Sequence, residues 1–323
     1  AQEAAAGVSC CLYPFGKAGT RSVYFPQRSM DKQGLLGYAG GNNDNVLIAL
    51  QVETADCITN MEEICAVPRV DLLFLGQNDL CVSMGLFDGK YDFPDMYKSP
   101  ELEAATNKLI KCATEKDILL GMFQFGTDRV TEFLDKGFNF ISVGNDLHHA
   151  LTQNFAHKEA LVAASAAANK PWAPRHTNMP FGGAGALAGH NPAPDGITVE
   201  PSAGPVEPMK SVKDALRAGK PKFGIFVNSH SPTVAEQFAH AGYDWLLVDC
   251  QHGPMDSITM SAMLCAIQNG GAKSMVRVAG YDDRNGIQQA LDLGADGILI
   301  PYINNAQEAA AGVSCCLYPF GKA

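Results

Sequence analysis

Residues 1–18, AQEAAAGVSCCLYPFGKA, recur letter for letter as residues 306–323. A chain whose last segment repeats its first closes on paper into a ring: the 323 residues less the 18 repeated leave 305 unique ones. The sensible place to open that ring is Met209, which follows the Pro-rich run Pro201 to Pro208. Read from Met209 to Ala323 and on from Gly19 to Pro208, the chain becomes an ordinary alternation of strands and helices. It therefore reads as a circular permutation of one unit with an 18-residue terminal duplication. A tandem repeat is the poorer reading, because two copies of one helix cannot form a solenoid and nothing else recurs at a fixed period.

Around the ring, short β-rich runs alternate with helical periods. The predicted strands are 223–228, 245–251, 274–279, 297–303, 46–53, 71–76, 119–125 and 138–144. The predicted helices are 232–241, 258–268, 284–293, 306–316, 56–67, 101–116, 128–136 and 146–169. Apolar runs such as GILIPYI and DLLFLG suit parallel strands buried on both faces. Eight βα units predict an α/β fold, a closed (β/α)8 TIM barrel, about the length such barrels have. A doubly wound open sheet is the runner-up, and no Gly-rich strand-to-helix phosphate loop supports it. In chain order, residues 1–170 would supply strands five to eight and 209–323 strands one to four. The Pro/Gly-rich stretch 171–208 would be a tail or linker, and the Gly/Asn-rich stretch 19–45 a long binding loop or lid.

Bulk properties exclude several classes of function. With 46% hydrophobic residues the chain is globular, and a net charge of −10 without a Lys/Arg cluster argues against nucleic acid. No apolar run approaches the ~20 residues of a membrane span, and neither the printed start nor the Met209 start resembles a signal peptide. Of ten cysteines two are duplicates, and the rest sit in apolar patterns without a CxxC pair. Buried, reduced thiols in a cytoplasmic protein are the expectation.

In a barrel of this kind the chemistry sits where strands end at their C-terminal side. Asp249 and His252 follow the second strand, Arg277 ends the third, Glu53 the fifth, and Asp79 follows the sixth. Glu53 and Asp79 are hard oxygen donors suited to Mg²⁺ or Mn²⁺, with Co²⁺ also accommodated. Arg277 offers a planar fork to a carboxylate or enolate oxygen. His252 can move protons near neutrality, with Asp249 three residues earlier to orient it. Each carboxylate taken alone could instead cap the next helix; together with Arg277 and His252 they read as a metal and oxyacid site. His148 and His149 read as surface or interface groups.

At these residues the sequence resembles the HpcH/HpaI aldolase family of metal-dependent pyruvate aldolases. The resemblance is carried by AEQFAHAGYDWLLVDCQHGP, VRVAGYDDRNGIQQALDLGADGILIPYINNAQEA, LYPFGKAGTRSV, LQVETADCITNMEEI and DLLFLGQNDLCVSMG. It implies Glu53 and Asp79 as metal ligands, Arg277 as the enolate binder, and His252 with Asp249 as the acid/base pair. Gly76, Gln77 and Asn78 would hold the pyruvate carboxylate through backbone amides, with Gln51 also among the substrate-binding residues. Three positions depart from the family pattern: Gln251 where Glu is usual, Gly76-Gln77 where Gly-Pro is common, and Tyr-Pro-Phe with a longer spacing to Arg21.

The activity so implied is reversible cleavage of a 4-hydroxy-2-oxo acid into pyruvate and an aldehyde. The partners are small molecules, with no nucleic acid and no membrane, and a homotrimer or homohexamer is expected through the long last helix. Oxaloacetate decarboxylation, a reaction like that of macrophomate synthase, CoA-thioester cleavage and a non-catalytic barrel are the alternatives.

Overall fold

The computed structural model describes residues 45–87, 91, 94–167, 211–219 and 221–317. The duplicated segment 1–18, the loop 19–44, Arg21 and the stretch 171–208 lie outside the described residues. In chain order the elements are β1 (Leu47–Val52), α1 (Ala55–Thr59), α2 (Met61–Cys65), β2 (Leu72–Leu75), α3 (Gln77–Ser83), a 3-10 turn (Asp95–Lys98), α4 (Pro100–Glu115), β3 (Leu119–Gln124), α5 (Val130–Asp135) and β4 (Phe138–Asn145). They continue with α6 (Asp146–Ala167), α7 (Val212–Arg217), β5 (Lys222–Val227), α8 (Pro232–His240), β6 (Trp245–Asp249), α9 (Ser257–Asn269), β7 (Lys273–Arg277), α10 (Arg284–Asp292), β8 (Gly297–Ile300) and α11 (Ala306–Cys316).

The eight strands pair in chain order, all parallel, and β8 closes on β1 with Leu47 opposite Gly297. A closed barrel has no edge strand, so its topology is the same wherever the chain is cut between units. The predicted barrel is the observed one. The predicted helix 56–67 is split instead into α1 and α2 at Asn60, whose side chain donates to the Asn304 carbonyl oxygen at 2.8 Å. Helices α3 and α7 form in stretches read as loop or start segment. Capping explains the sharp starts of the longer helices: Ser99, Ser231, Asp256, Asp283 and Asn305 each accept a first-turn amide, and Ser99 and Ser231 are followed by Pro.

Alternate residues of each strand face opposite sides of the barrel wall. Leu47, Ala49, Leu72, Phe74, Phe140, Phe226, Trp245, Leu247, Met275 and Leu299 form the inner core, while Ile48, Leu50, Val52, Leu73 and Leu75 belong to the cluster with the helices. Trp245 stacks on Phe140 with ring centroids 4.1 Å apart, and only a glycine fits at 224: a Cβ there would lie 2.2 Å from the Trp245 ring. Val212 and Leu216 of α7 join this inner core and close the barrel at the start of the strands.

At that same end a repeated device fastens the strands. Asp71, Asp244 and Asp296 accept the backbone amides of Ile48, Phe223 and Ser274, each at 3.0 Å. The same three carboxylates pair with Lys213, Lys222 and Lys273. One end of the barrel is therefore filled and pinned, and the other is left for chemistry.

Candidate active site at the mouth of the barrel

The inner stripe of each strand turns polar at its C-terminal end. Two residues beyond Ala49 stands Gln51, then Glu53; two beyond Leu247 stands Asp249; two beyond Met275 stands Arg277; two beyond Phe226 stands Asn228. This period-two continuation carries the apolar filling of the barrel into a cavity of about 640 Å3 with polar side chains in its wall. Gln51, Gly76, Gln77, Asn78, Asp79, Asp249, His252 and Arg277 all line it. Its floor is aromatic, with Phe74 and Phe123 each packed against the Phe226 ring.

Arg277 is only 7% exposed, yet it reaches the cavity. Its Nε donates to Asp249 Oδ1 at 2.9 Å and its Nη2 to Asp249 Oδ2 at 2.6 Å, a bidentate fork. Its guanidinium lies 5.0 Å above the Phe226 ring. Asp249 also accepts Asn228 Nδ2 at 2.6 Å and the backbone amides of Gln251 and His252 at 3.1 and 3.2 Å. Burial works against charge on Asp249, but the Arg277 bond and field and the amides of His252 and Gln251 outweigh it and hold the carboxyl below its ordinary value. The side-chain partner of Asp249 is thus Arg277. The expected orienting contact to His252 is made through the backbone amide, while the His252 ring stands exposed at the cavity.

Glu53 is buried against Gln51, whose Nε2 donates to Glu53 Oε2 at 2.5 Å, and its Oε1 accepts the Tyr302 amide at 2.9 Å. A Cβ at Gly76 would lie 3.1 Å from Glu53 Cβ, so the glycine lets the two strand ends close on each other. Burial, with a smaller push from the Asp79 charge, raises the Glu53 carboxyl to about 7 against the opposing Tyr302 amide, Arg277 and Gln51. Gln51 Oε1 is buried with no donor. A carboxylate lifted by burial and by a second carboxylate, beside an orphaned amide oxygen, is a hard-oxygen environment that fits a divalent cation. Among the described residues no group of three His, Cys, Asp or Glu is placed to hold a metal ion.

The turn Gly76–Asn78 differs in one respect from expectation. The Gly76 amide donates to Val52 O at 3.0 Å within the sheet, so it is not offered to a ligand. Gln77 and Asn78 open α3, where first-turn amides have no helical acceptor.

Several wall residues were not singled out from sequence. Asn228 was legible from the period-two stripe alone. Asn145, Gln124, Arg129 and Tyr97 come from strand ends and loops whose approach to the mouth depends on the fold, and the Tyr97 hydroxyl donates to Asn78 Oδ1. Arg129 is engaged by Glu132 at 2.8 and 3.0 Å. His149 is tied to the Val143 carbonyl at 2.8 Å and His148 packs against Phe125. The Cys57, Cys65 and Cys250 thiols are pushed up to about 12, chiefly by burial, which keeps them protonated near neutrality.

The chain is similar to several known proteins. The 4-hydroxy-2-oxo-heptane-1,7-dioate aldolase of Salmonella dublin is 40% identical over 107 residues, which are 33% of this chain and 40% of the relative. The matched part thus spans well under half of that relative's length. Macrophomate synthase is 29% identical over 30% of this chain and 33% of its own, with a TM-score of 0.28. An HpcH/HpaI aldolase from Desulfitobacterium hafniense DCB-2 aligns over 80% of this chain and 87% of its own at 10% identity and a TM-score of 0.45. The family model for HpcH/HpaI aldolase/citrate lyase matches residues 1–152 and 222–322, and the chain belongs to that family.

Proposed function

We propose that this barrel cleaves 4-hydroxy-2-oxo acids reversibly into pyruvate and an aldehyde. The observation that carries the reading is Arg277, a buried guanidinium locked by Asp249 and facing the cavity shared by Asp79 and His252. Two of its N–H groups are spent on Asp249, and those that remain suit a substrate oxygen on which negative charge develops. Such a contact is strongest in the transition state and so accelerates the step.

Glu53 and Asp79 would hold a divalent cation, Mg²⁺ or Mn²⁺, which when bound supplies Lewis acidity toward the 2-oxo group. The Gln77 and Asn78 amides would receive the substrate carboxylate. His252 takes the proton of the C4 hydroxyl; the C3–C4 bond breaks, its electron pair passes to the 2-oxo group as pyruvate enolate, and the aldehyde departs. Protonation at C3 completes pyruvate. The aromatic floor of Phe74, Phe123 and Phe226 keeps water from the carbanionic carbon.

Pyruvate release from 4-hydroxy-2-oxoheptane-1,7-dioate, abolished by EDTA and restored by Mg²⁺ or Mn²⁺, is the expected result. Release from oxaloacetate alone would make the enzyme a decarboxylase, and release from neither would end the reading.

The family match in two blocks, 1–152 and 222–322, supports a permuted order in which 1–170 and 209–323 each supply half a barrel. Helix α6, at 22 residues, is longer than the other helices described, which supports a homotrimer or homohexamer built through it. Light scattering showing only monomer at micromolar concentration would contradict that assembly. Among the described residues no helix is long and apolar enough to cross a membrane, and the buried thiols are in keeping with a cytoplasmic protein.

A further inference from the structure

The seam between β4 and β5 is held at the mouth by a side chain. Its register shifts between Ser142 and Asn145, and pairing resumes with Asn145 opposite Phe226. Asp146, 3% exposed, follows: its Oδ1 accepts the Leu147 and Asn228 amides, each at 2.9 Å, and its Oδ2 the Ser229 amide at 3.0 Å. The end of β5 is thereby fixed by the carboxylate of the first residue of α6, immediately after the neighbouring strand β4.

What that fixes is Asn228. Its Nδ2 donates to Asp249 Oδ2 at 2.6 Å, the same oxygen that receives Arg277 Nη2 at 2.6 Å. The other oxygen takes Arg277 Nε and two backbone amides. Backbone amides and Asn228 therefore hold the Asp249 carboxylate from the β5 and β6 sides, and Asp249 holds Arg277 from the β7 side.

We propose that Asn228 is a positioning residue that sets the Asp249–Arg277 pair for the reaction, with Asp146 setting Asn228. The consequence for turnover rests on the aldolase reading above; the electrostatic coupling of Asn228 to Asp249 does not. Asp146 accepts the Asn228 amide, Asp249 accepts its Nδ2 and Arg277 shares that Asp249 oxygen, while Asp79, Lys98, Asp128, Arg129 and His252 are the other ionisable residues lining the same cavity, and His230 lies two residues on.

Asn228→Asp is close to isosteric and gives a test with a direction. Protonated, the new carboxyl donates its O–H to Asp249 Oδ2 as the amide does. Ionised, it stands against Asp249 and competes for Arg277. At low pH the variant should match the wild type in kcat. As pH rises, its kcat relative to wild type at each pH should fall roughly 10-fold or more, because a small displacement of a charge-stabilising group is costly in rate. Asn228→Ala should lose kcat to a similar extent at every pH while KM changes less than about twofold.

A purely structural role for Asn228 would lower Tm in both variants and leave kcat intact. If kcat of both variants stays within twofold of wild type across pH, the inference is overturned. Should the wild type itself release no pyruvate, the aldolase reading fails, and the Tm gap between wild type and Asn228→Asp still decides the coupling. A gap that widens with pH upholds it, and a flat gap overturns it.

Discussion

Asp249 and Arg277 are register partners, side by side at the last rungs of β6 and β7, and their side chains meet in a two-bond fork inside the barrel mouth. This arrangement settles which way the guanidinium faces. A free arginine carries about 2 kcal/mol of rotamer entropy, and one already locked by a carboxylate has lost it before substrate arrives. Pre-organisation of this kind is how a fixed dipole or charge acts on a transition state without reorganising at the moment of reaction.

Asp249→Ala should therefore cost both rate and stability. It strands a buried guanidinium, and breaking a buried pair by removing one partner costs about 3–5 kcal/mol. Because the Asp249 carboxyl is held below its ordinary value, its contribution is full above the unfolded carboxylate range and is lost as pH falls through the folded value. The variant's Tm should fall below wild type at neutral pH, and the difference should narrow on acidification. A pH-independent difference would show that the charge pair is not what was lost.

Glu53 works with the opposite sign. Its folded carboxyl, raised from 4.5 to about 7, binds a proton the unfolded chain has already released between those values. The stability tied to that proton is present below about 4.5 and disappears as pH rises through about 7, a change on the order of 3 kcal/mol. In EDTA-treated protein, Glu53→Gln should raise Tm at pH 8 and change it little at pH 4.5. Adding Mn²⁺ should stabilise the wild type at pH 8 and fail to stabilise the variant. Equal stabilisation of the two would remove Glu53 from the cation site.

The His252 ring is exposed at the cavity, and Asp249 meets His252 at the backbone amide. His252→Ala should lower kcat on the order of 10²-fold or more with Mn²⁺ affinity nearly unchanged. A matching loss of Mn²⁺ binding would reassign His252 as a ligand or a structural group.

The barrel was legible in the sequence because its signal is strong and local: continuous apolar strands such as GILI and LLFL, separated by helices that start on Ser-Pro, Asp or Asn caps. The site residues were legible for a related reason, since polar side chains closing an apolar strand have nowhere to point but the mouth. What stayed hidden depends on register. That Asp249 pairs with Arg277, and not with the His252 ring, follows from which residues stand opposite each other on β6 and β7, and no local pattern carries that. The Gly76 amide is spent on Val52 for the same reason. Helix α3 was missed because Gln77-Asn78-Asp79 reads as a turn, and its seven residues are too few to show a helical period.

The duplicated ends make the last test. The C-terminal copy forms α11, which packs against α10, α2 and β1 and fills the slot between β8 and β1. It is seated by its cap, with Asn305 accepting the Glu308 amide at 2.9 Å and Glu308 accepting the Asn304 amide at 2.7 Å. Ala309, Val313 and Cys316 are among its buried residues, and Gly312 allows close approach to Ile300, where a Cβ would lie 2.8 Å from the Cδ1 methyl. This copy follows β8 through a short link, so docking it closes only a small loop. Residues 1–18 repeat that segment letter for letter and are joined to β1 through residues 19–46, a longer connection. The extra loop closure costs about 1 kcal/mol. Deleting residues 1–18 should leave Tm and pyruvate release unchanged. Deleting residues 306–323 should lower Tm by several degrees without unfolding the barrel, as the identical N-terminal segment enters the vacated slot. Unfolding on removal of 1–18, with no effect on removal of 306–323, would assign the slot to the other copy.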